Sequence, residues 1–281
     1  MPTIDGGTSG KCLGCYRSID PGLLYHPKCS KDLFGCPVPP QLDTTLHEVE
    51  QYAHKFISER LAVTGVQRKL SLQLEDHHAN RFTVVGTLGG GYIMKPPSPD
   101  YDEMPENEDL VMHLAKVCGI DTARHGLLPM KDGALAYVTK RFDRHGKRRL
   151  AVEDLCQLAG LLTEQKYRSS HERIGKIIRH YSSVPGDDVL RFFELVVFSF
   201  VTGNNDMHLK NFMLMTDDPQ NIRLSPAYDL LSVRLLMSVK EDPEELALTL
   251  NGKKTKLCRA DFECFGKNLG IPAKVIAMVL Q

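Results

Sequence analysis

The chain has 281 residues, 35 Lys plus Arg against 35 Asp plus Glu, and is 42% hydrophobic and 25% charged. That excludes a disordered or collagen-like chain and leaves room for one large domain or two moderate ones with a sizeable core. The neutral balance argues against a free-standing nucleic-acid binder, and no apolar run reaches the roughly 18 residues of a membrane helix.

The first residues, MPTIDGGTSGK, lack the basic and apolar regions of a signal peptide. The expected location is cytoplasmic, with the 8 cysteines present as thiols or metal ligands rather than disulfides. Residues 1–40 read as an irregular Cys/Pro-rich segment ending in the stiff stretch Cys36-Pro37-Val38-Pro39-Pro40. Leu46, Val49, Ala53, Phe56, Ile57 and Leu61 then recur at helical spacing after Asp43 and Thr44. Leu70, Leu72 and Leu74 alternate with polar residues, 81–85 is β-branched and aromatic, and 91–95 follows a Gly triplet, which predicts an antiparallel sheet. A helix is predicted over 107–118, closed by Gly119, and a strand over 134–139. Beyond residue 152 the pattern is mainly helical, at 152–161, 170–180, 188–202, 260–269 and 272–280. A hairpin at 212–215 and 222–224 interrupts it. The expected fold class is α+β: a β-rich lobe over 41–139, then a larger helical lobe over 140–281.

The most informative segment runs Gly203-Asn204-Asn205-Asp206-Met207-His208-Leu209-Lys210-Asn211-Phe212. Asp206 and Asn211 have the Asp-to-Asn spacing of a protein-kinase catalytic loop, in which Asp takes the substrate hydroxyl proton and Asn binds a metal. Asp229, beyond the expected hairpin, stands where a kinase keeps its main Mg²⁺ carboxylate. Upstream, Thr64-Gly65-Val66-Gln67 could form a short phosphate-covering loop, Lys95 ends a strand, and Glu108 opens the next helix within reach of pairing with it. Each has an ordinary alternative, a solvated Lys or acids serving the helix dipole, but their shared order favours a phosphotransferase.

On these residues, with Lys140-Arg141-Phe142-Asp143-Arg144, Glu153-Asp154-Leu155-Cys156-Gln157 and Lys166-Tyr167, the chain resembles the HipA-like serine/threonine kinases, the toxins of bacterial toxin–antitoxin systems. The resemblance spans roughly residues 60–281 and implies a protein-kinase-like two-lobed fold with ATP between the lobes. It implies Asp206 as catalytic base, Asn211 and Asp229 as Mg²⁺ ligands, and Lys95 on the ATP phosphates. Lys140 and Phe142 fall at the adenine-binding hinge, Asp143 near the ribose, and His208 and Lys210 in the catalytic loop. It further implies a protein substrate of the aminoacyl-tRNA synthetase type, arrested translation, and an antitoxin partner. Little chain precedes the kinase part, so the sequence is more similar to HipT, the short kinase of HipBST systems, which implies a small HipS-like partner protein. Family members phosphorylate hydroxyls just before the loop Gly. Here Leu61-Ala62-Val63-Thr64 leaves only Thr64, where a phosphate would oppose nucleotide binding. The rival readings are a small-molecule or lipid kinase and a catalytically silent ATP-binding module.

Cys12, Cys15, His26 and Cys29 form a separate signal, C-x₂-C-x₁₀-H-x₂-C, able to close tetrahedrally on Zn²⁺. Two-residue Cys spacings also arise in metal-free turns, and the sequence alone favours four reduced groups packed against the helical lobe. Asn251-Gly252-Lys253-Lys254 reads as a hairpin turn with solvated charges, and Lys147-Arg148-Arg149 as a solvated basic run after a turn at His145-Gly146.

Overall fold

The computed structural model of the chain describes residues 10–49, 51, 69–75, 80–85, 89–145, 148–218 and 220–281. They fall into two compact units, Met1–His113 with Ala123–Arg141, and Leu114–Thr122 with Phe142–Gln281. Most of the predicted 43–61 helix lies outside the described residues, as do Thr64, Gly65, Val66 and Gln67.

The first unit opens with a helix that the irregular reading of residues 1–40 missed, α1 (Pro27–Phe34). Pro27 at its first turn is pre-set for helical φ, and Gly35 ends it at φ 83, its N–H bonding the Lys31 carbonyl. The strands β1 (Leu70–Leu74), β2 (Phe82–Val84), β3 (Tyr92–Lys95), β4 (His125–Pro129) and β5 (Leu135–Lys140) form one antiparallel sheet in the order β2-β1-β3-β5-β4. Leu70, Leu72, Phe82, Tyr92 and Met94 share a core with Cys12, Tyr25, Leu33 and Phe34 from the N-terminal segment. The Cys/His segment therefore packs on the sheet, which corrects the expectation that it lies against the helical lobe. Between β3 and β4 runs α2 (Met104–Val117), starting three residues earlier than predicted. Gly119, at φ 81, closes its end through bonds to the Lys116 and Ala115 carbonyls made by Gly119 and Ile120.

The second unit carries a two-stranded ribbon, β6 (Arg144–His145) with β7 (Arg148–Arg149), and a three-stranded antiparallel sheet in the order β10-β9-β8. Its strands are β8 (Ala151–Asp154), β9 (Met213–Asp218) and β10 (Asn221–Leu224). The predicted 152–161 helix is thus half strand. Val152 and Glu153 pair with Met215 and Leu214, and only at Asp154 does the chain turn helical, as α3 (Leu155–Leu158). Asp154 accepts the Gln157 N–H while the Gln157 side chain bonds back to the Asp154 N–H, a capping box the helical period conceals. The other helices, α4 (His171–Tyr181), α5 (Pro185–Val201), α6 (Val233–Leu236), α7 (Arg259–Asn268) and α8 (Ala273–Val279), match the predicted helical stretches, apart from the short α6, which was not anticipated. The 251–252 turn is present, with both residues at positive φ, but Lys253 is not merely solvated. It donates to Asp261, which that bond and three others, from Asn251 and from the Cys258 N–H and thiol, hold well below the usual carboxylate range.

The acidic and basic residues inside the apolar helix α5 have a structural purpose. Asp188 is fully buried, accepts from Ser182 at 2.6 Å and from the Leu224 N–H at 2.8 Å, and pairs with Arg191 at 3.1 Å. Arg191 also donates to the Leu224 carbonyl and to Asp121. This network ties the end of β10, and so the start of the segment leading to Asp229, onto α5. No described helix is long and apolar enough to cross a membrane.

His171 is fully buried, faces Phe192 and Phe265, and neither ring nitrogen has a hydrogen-bond partner among the described residues. Burial pushes its imidazole down to about 3. An unfolded chain takes up that proton near the ordinary value of about 6.5, so stability falls as pH drops from there toward 3, by roughly 3 kcal/mol at about pH 4. His171→Phe is expected to keep the melting temperature at neutral pH and to flatten its decline under acid, measured by calorimetry across pH. An unchanged acid slope would refute the assignment.

Candidate active site

In the second unit, the chain leaves α5 at Thr202 and reverses at Gly203, φ 68, where an added Cβ would lie 2.5 Å from the Arg234 side chain. Only glycine fits that close approach. The next residues are anchored by amides. Asn204 is fully buried, its N–H bonding the Ser199 carbonyl, and Asn205 donates to Asp242 at 2.6 Å and to the Glu244 carbonyl at 2.8 Å. The loop therefore presents Asp206 from a rigid base.

Asp206 is half-buried and accepts a 2.6 Å hydrogen bond from the Tyr167 hydroxyl. Burial, reinforced by this carboxylate, pushes the Tyr167 hydroxyl far above its ordinary range, so it remains a donor. The Asp206 backbone carbonyl accepts from the His208 N–H at 2.8 Å and from the Asn211 side-chain nitrogen at 3.1 Å. Asn211 is buried, and this bond commits its amide nitrogen, leaving the side-chain oxygen as the group able to bind a cation. Asp229 sits at φ 55 in the left-handed region, which Asp tolerates better than most residues and which costs about 1 kcal/mol. Next to it, Tyr228 packs against Phe142 at 5.6 Å and donates to the Lys210 carbonyl at 2.7 Å, joining the Asp229 segment to the loop.

The remaining loop residues take supporting positions. Burial lowers the His208 imidazole, while Asp206 and Asp229 oppose the shift, placing both carboxylates within its field. Its ring meets Tyr167 edge-on at 5.1 Å. Lys210 pairs with Asp154 at 2.6 Å, so the residue capping α3 also fixes the loop cation. Asp143 is buried and its carboxylate pairs with Arg144.

In the first unit, Lys95 at the end of β3 and Glu108 on α2 form the pair the sequence anticipated. Nζ lies 2.6 and 2.8 Å from the two carboxylate oxygens, and both residues are buried. Lys140, at the end of β5, lies over the Tyr92 ring at 5.9 Å, and burial together with Arg124 lowers its pKa. The structure thus groups Asp206, His208, Lys210, Asn211, Asp229, Phe142 and Asp143 in one unit, and Lys95, Glu108 and Lys140 in the other. Tyr167, Asp154 and Tyr228 contact the loop and were not singled out as site residues, although 153–157 and 166–167 were among the stretches that carried the resemblance.

An α+β chain with an antiparallel sheet unit bearing a buried Lys–Glu pair, and a largely helical unit bearing an Asp-to-Asn loop, has a protein-kinase-like fold. The HipA-like C-terminal domain model matches residues 61–281, and the chain belongs to that family. Two proteins of Sinorhizobium fredii, named "Putative kinase Y4dM" and "Putative kinase Y4mE", are 34% and 31% identical to it over 77% and 75% of this chain. The chain spans about half the length of these relatives, 53% and 51%. The Shewanella oneidensis MR-1 HipA in complex with HipB and operator DNA superposes with a TM-score of 0.69 at 25% identity, covering 85% of this chain and 61% of that one.

Two substitutions probe the site's construction. Lys95→Met takes the paired cation away from the buried Glu108 carboxylate and is expected to destabilise the fold by about 3 kcal/mol, whereas Lys95→Met with Glu108→Leu recovers most of that loss in denaturant unfolding. Equal losses in the single and double variants would count against a mutually dependent pair. Asp229→Val is expected to lower the melting temperature more than Asp229→Gly, measured by calorimetry, since a β-branched residue resists the left-handed backbone and glycine does not.

Proposed function

We propose that the chain is an ATP- and Mg²⁺-dependent serine/threonine protein kinase acting as the toxin of a toxin–antitoxin system. The observation that carries the reading is the loop from Asp206 to Asn211, held by Gly203, Asn204 and Asn205 and closed by the Asn211 side-chain nitrogen on the Asp206 carbonyl. The Asn211 oxygen and the Asp229 carboxylate are the hard oxygen donors Mg²⁺ takes, so the residues present fit that ion. Bound there, Mg²⁺ supplies charge neutralisation on the nucleotide phosphates. Lys95, oriented by Glu108, is the phosphate-binding cation proposed in the first unit; Thr64, Gly65, Val66 and Gln67, outside the described residues, keep the phosphate-contacting role that the resemblance implies. Lys140, Phe142 and Asp143 serve the adenosine end.

Asp206 receives the proton of the Ser or Thr hydroxyl as its oxygen bonds the γ-phosphorus and the bond to the β-phosphate oxygen breaks, releasing ADP. Tyr167 positions that carboxylate and remains protonated throughout. His208, neutral because it is buried, braces the loop, and Lys210, held by Asp154, ties the loop to the start of α3. Family membership supports an aminoacyl-tRNA synthetase substrate and an antitoxin partner, and the Shewanella complex supports a HipB-type one. A HipS-like protein is a further proposed partner. The neutral charge supports a DNA contact made by the antitoxin rather than by this chain. Autophosphorylation at Thr64 is proposed as the silencing step, and phosphopeptide mapping that found phosphate only elsewhere would refute it.

Incubation with labelled ATP and a lysate tests the reading. Label in a protein band, with growth arrest on expression, is expected for the parent chain, and Asp206→Asn is expected to abolish both. Tyr167→Phe is expected to reduce transfer while leaving the melting temperature near the parent's. Label confined to small molecules or lipids, or no transfer by the parent, would overturn the proposal.

A further inference from the structure

The cluster the sequence reading weighed against has, in three dimensions, the geometry of a metal site. Cys12 and Cys15 lie on a tight turn in which the Cys15 and Tyr16 N–H groups bond the Cys12 carbonyl at 3.3 and 2.8 Å, and Tyr16 ends it at φ 58. The Gly14 and His26 N–H groups both point at the Cys12 sulfur, at 3.4 and 3.3 Å. Donors of this kind stabilise a thiolate more than a thiol. His26 caps α1 and Cys29 lies in its first turn, so the helix fixes their spacing. One ligand atom from each of Cys12, Cys15, His26 and Cys29 lies within 4.8 Å of every other. The Cys15 Sγ to His26 Nδ1 distance is 3.4 Å. Arms of about 2.0–2.3 Å around a tetrahedral Zn²⁺ separate neighbouring ligand atoms by roughly 3.5–3.8 Å, so little movement is required.

The second contact of His26 settles which nitrogen is free. Nε2 lies 3.0 Å from the Ser18 carbonyl, which can only accept, so Nε2 carries the proton and the Nδ1 lone pair faces the sulfurs. The turn is closely packed against its surroundings. A Cβ on Gly14 would fall 2.7 Å from the Tyr25 ring, and all three cysteines are free rather than disulfide-bonded. We propose that Cys12, Cys15, His26 and Cys29 bind a structural Zn²⁺ that closes the N-terminal knuckle.

The knuckle meets α2 one residue beyond Glu108. Tyr16 donates to Asp109 at 2.5 Å and stacks on His113 at 4.4 Å, while His113 Nε2 lies 3.3 Å from the Gly14 carbonyl. Asp109 also bonds His125 at 2.7 Å, on β4. Zn²⁺ therefore holds the turn that presses α2 onto the sheet.

Protein produced with zinc in the medium and purified without chelator is expected to hold close to one zinc per chain by elemental analysis. Cys15→Ser and Cys29→Ser are expected to lose it, and Cys264→Ser to retain it. The wild-type chain supplies a test free of folding defects. Three thiols should resist a thiol reagent until a chelator removes the zinc, and amide exchange in residues 104–113 should then accelerate. Wild-type protein that stays folded but holds no zinc, or holds iron in its place, would overturn the proposal. So would cysteine variants that keep the metal.

Discussion

The fixed loop from Gly203 to Asn211 is the constraint on which the site depends. A carboxylate acting as a proton acceptor must be placed within a few tenths of an ångström, and a loop free to move cannot do that. This one is held from behind by buried amides, from the side by Tyr167, and through the Lys210–Asp154 pair by the start of α3. Each tether begins in a different element. The loop's position is therefore a property of the whole second unit rather than of its own ten residues.

Burial supplies the electrostatics. His208 and Tyr167 both stand against Asp206, and both are kept neutral by desolvation, one as a depressed base and the other as a raised acid. Asp206 accepts from the Tyr167 hydroxyl in this setting, an arrangement in keeping with the proton-accepting role proposed for it. In the first unit the same low-dielectric setting works differently. Lys95 and Glu108 are both buried, and each makes the other tolerable, so the orientation of the cation is secured by the cost of separating them.

Local pattern was enough where one period ran uninterrupted. The apolar stripe of α5, the alternation of Leu70, Leu72 and Leu74, and the Asn-Gly turn at 251–252 were readable because each element's pattern reflects a single buried face. It failed where a strand passed directly into a helix. At Val152–Leu155 the change occurs at one capping residue, and a window long enough to detect periodicity averages across it. It failed again at α1, whose core contacts are too few to give a stripe and whose ends are set by Pro27 and Gly35 instead. At the site, spacing alone brought out Asp206, Asn211 and Asp229. Tyr167 and Asp154 are 39 and 56 residues from their partners, and no local signal links residues so far apart. The zinc reading depended on tautomer and approach, which spacing does not encode: a carbonyl from Ser18 and a ring from Tyr25 tip the balance.

The left-handed backbone at Asp229 sets chemistry against architecture within one residue. Glycine would suit that conformation at least as well, yet it has no oxygen to offer a cation. The backbone conformation alone gives no reason for an acid at this position, whereas the proposed cation-binding role does. An exchange of Asp for Gly there, a single codon change, would suit the backbone and remove the proposed cation ligand at one stroke.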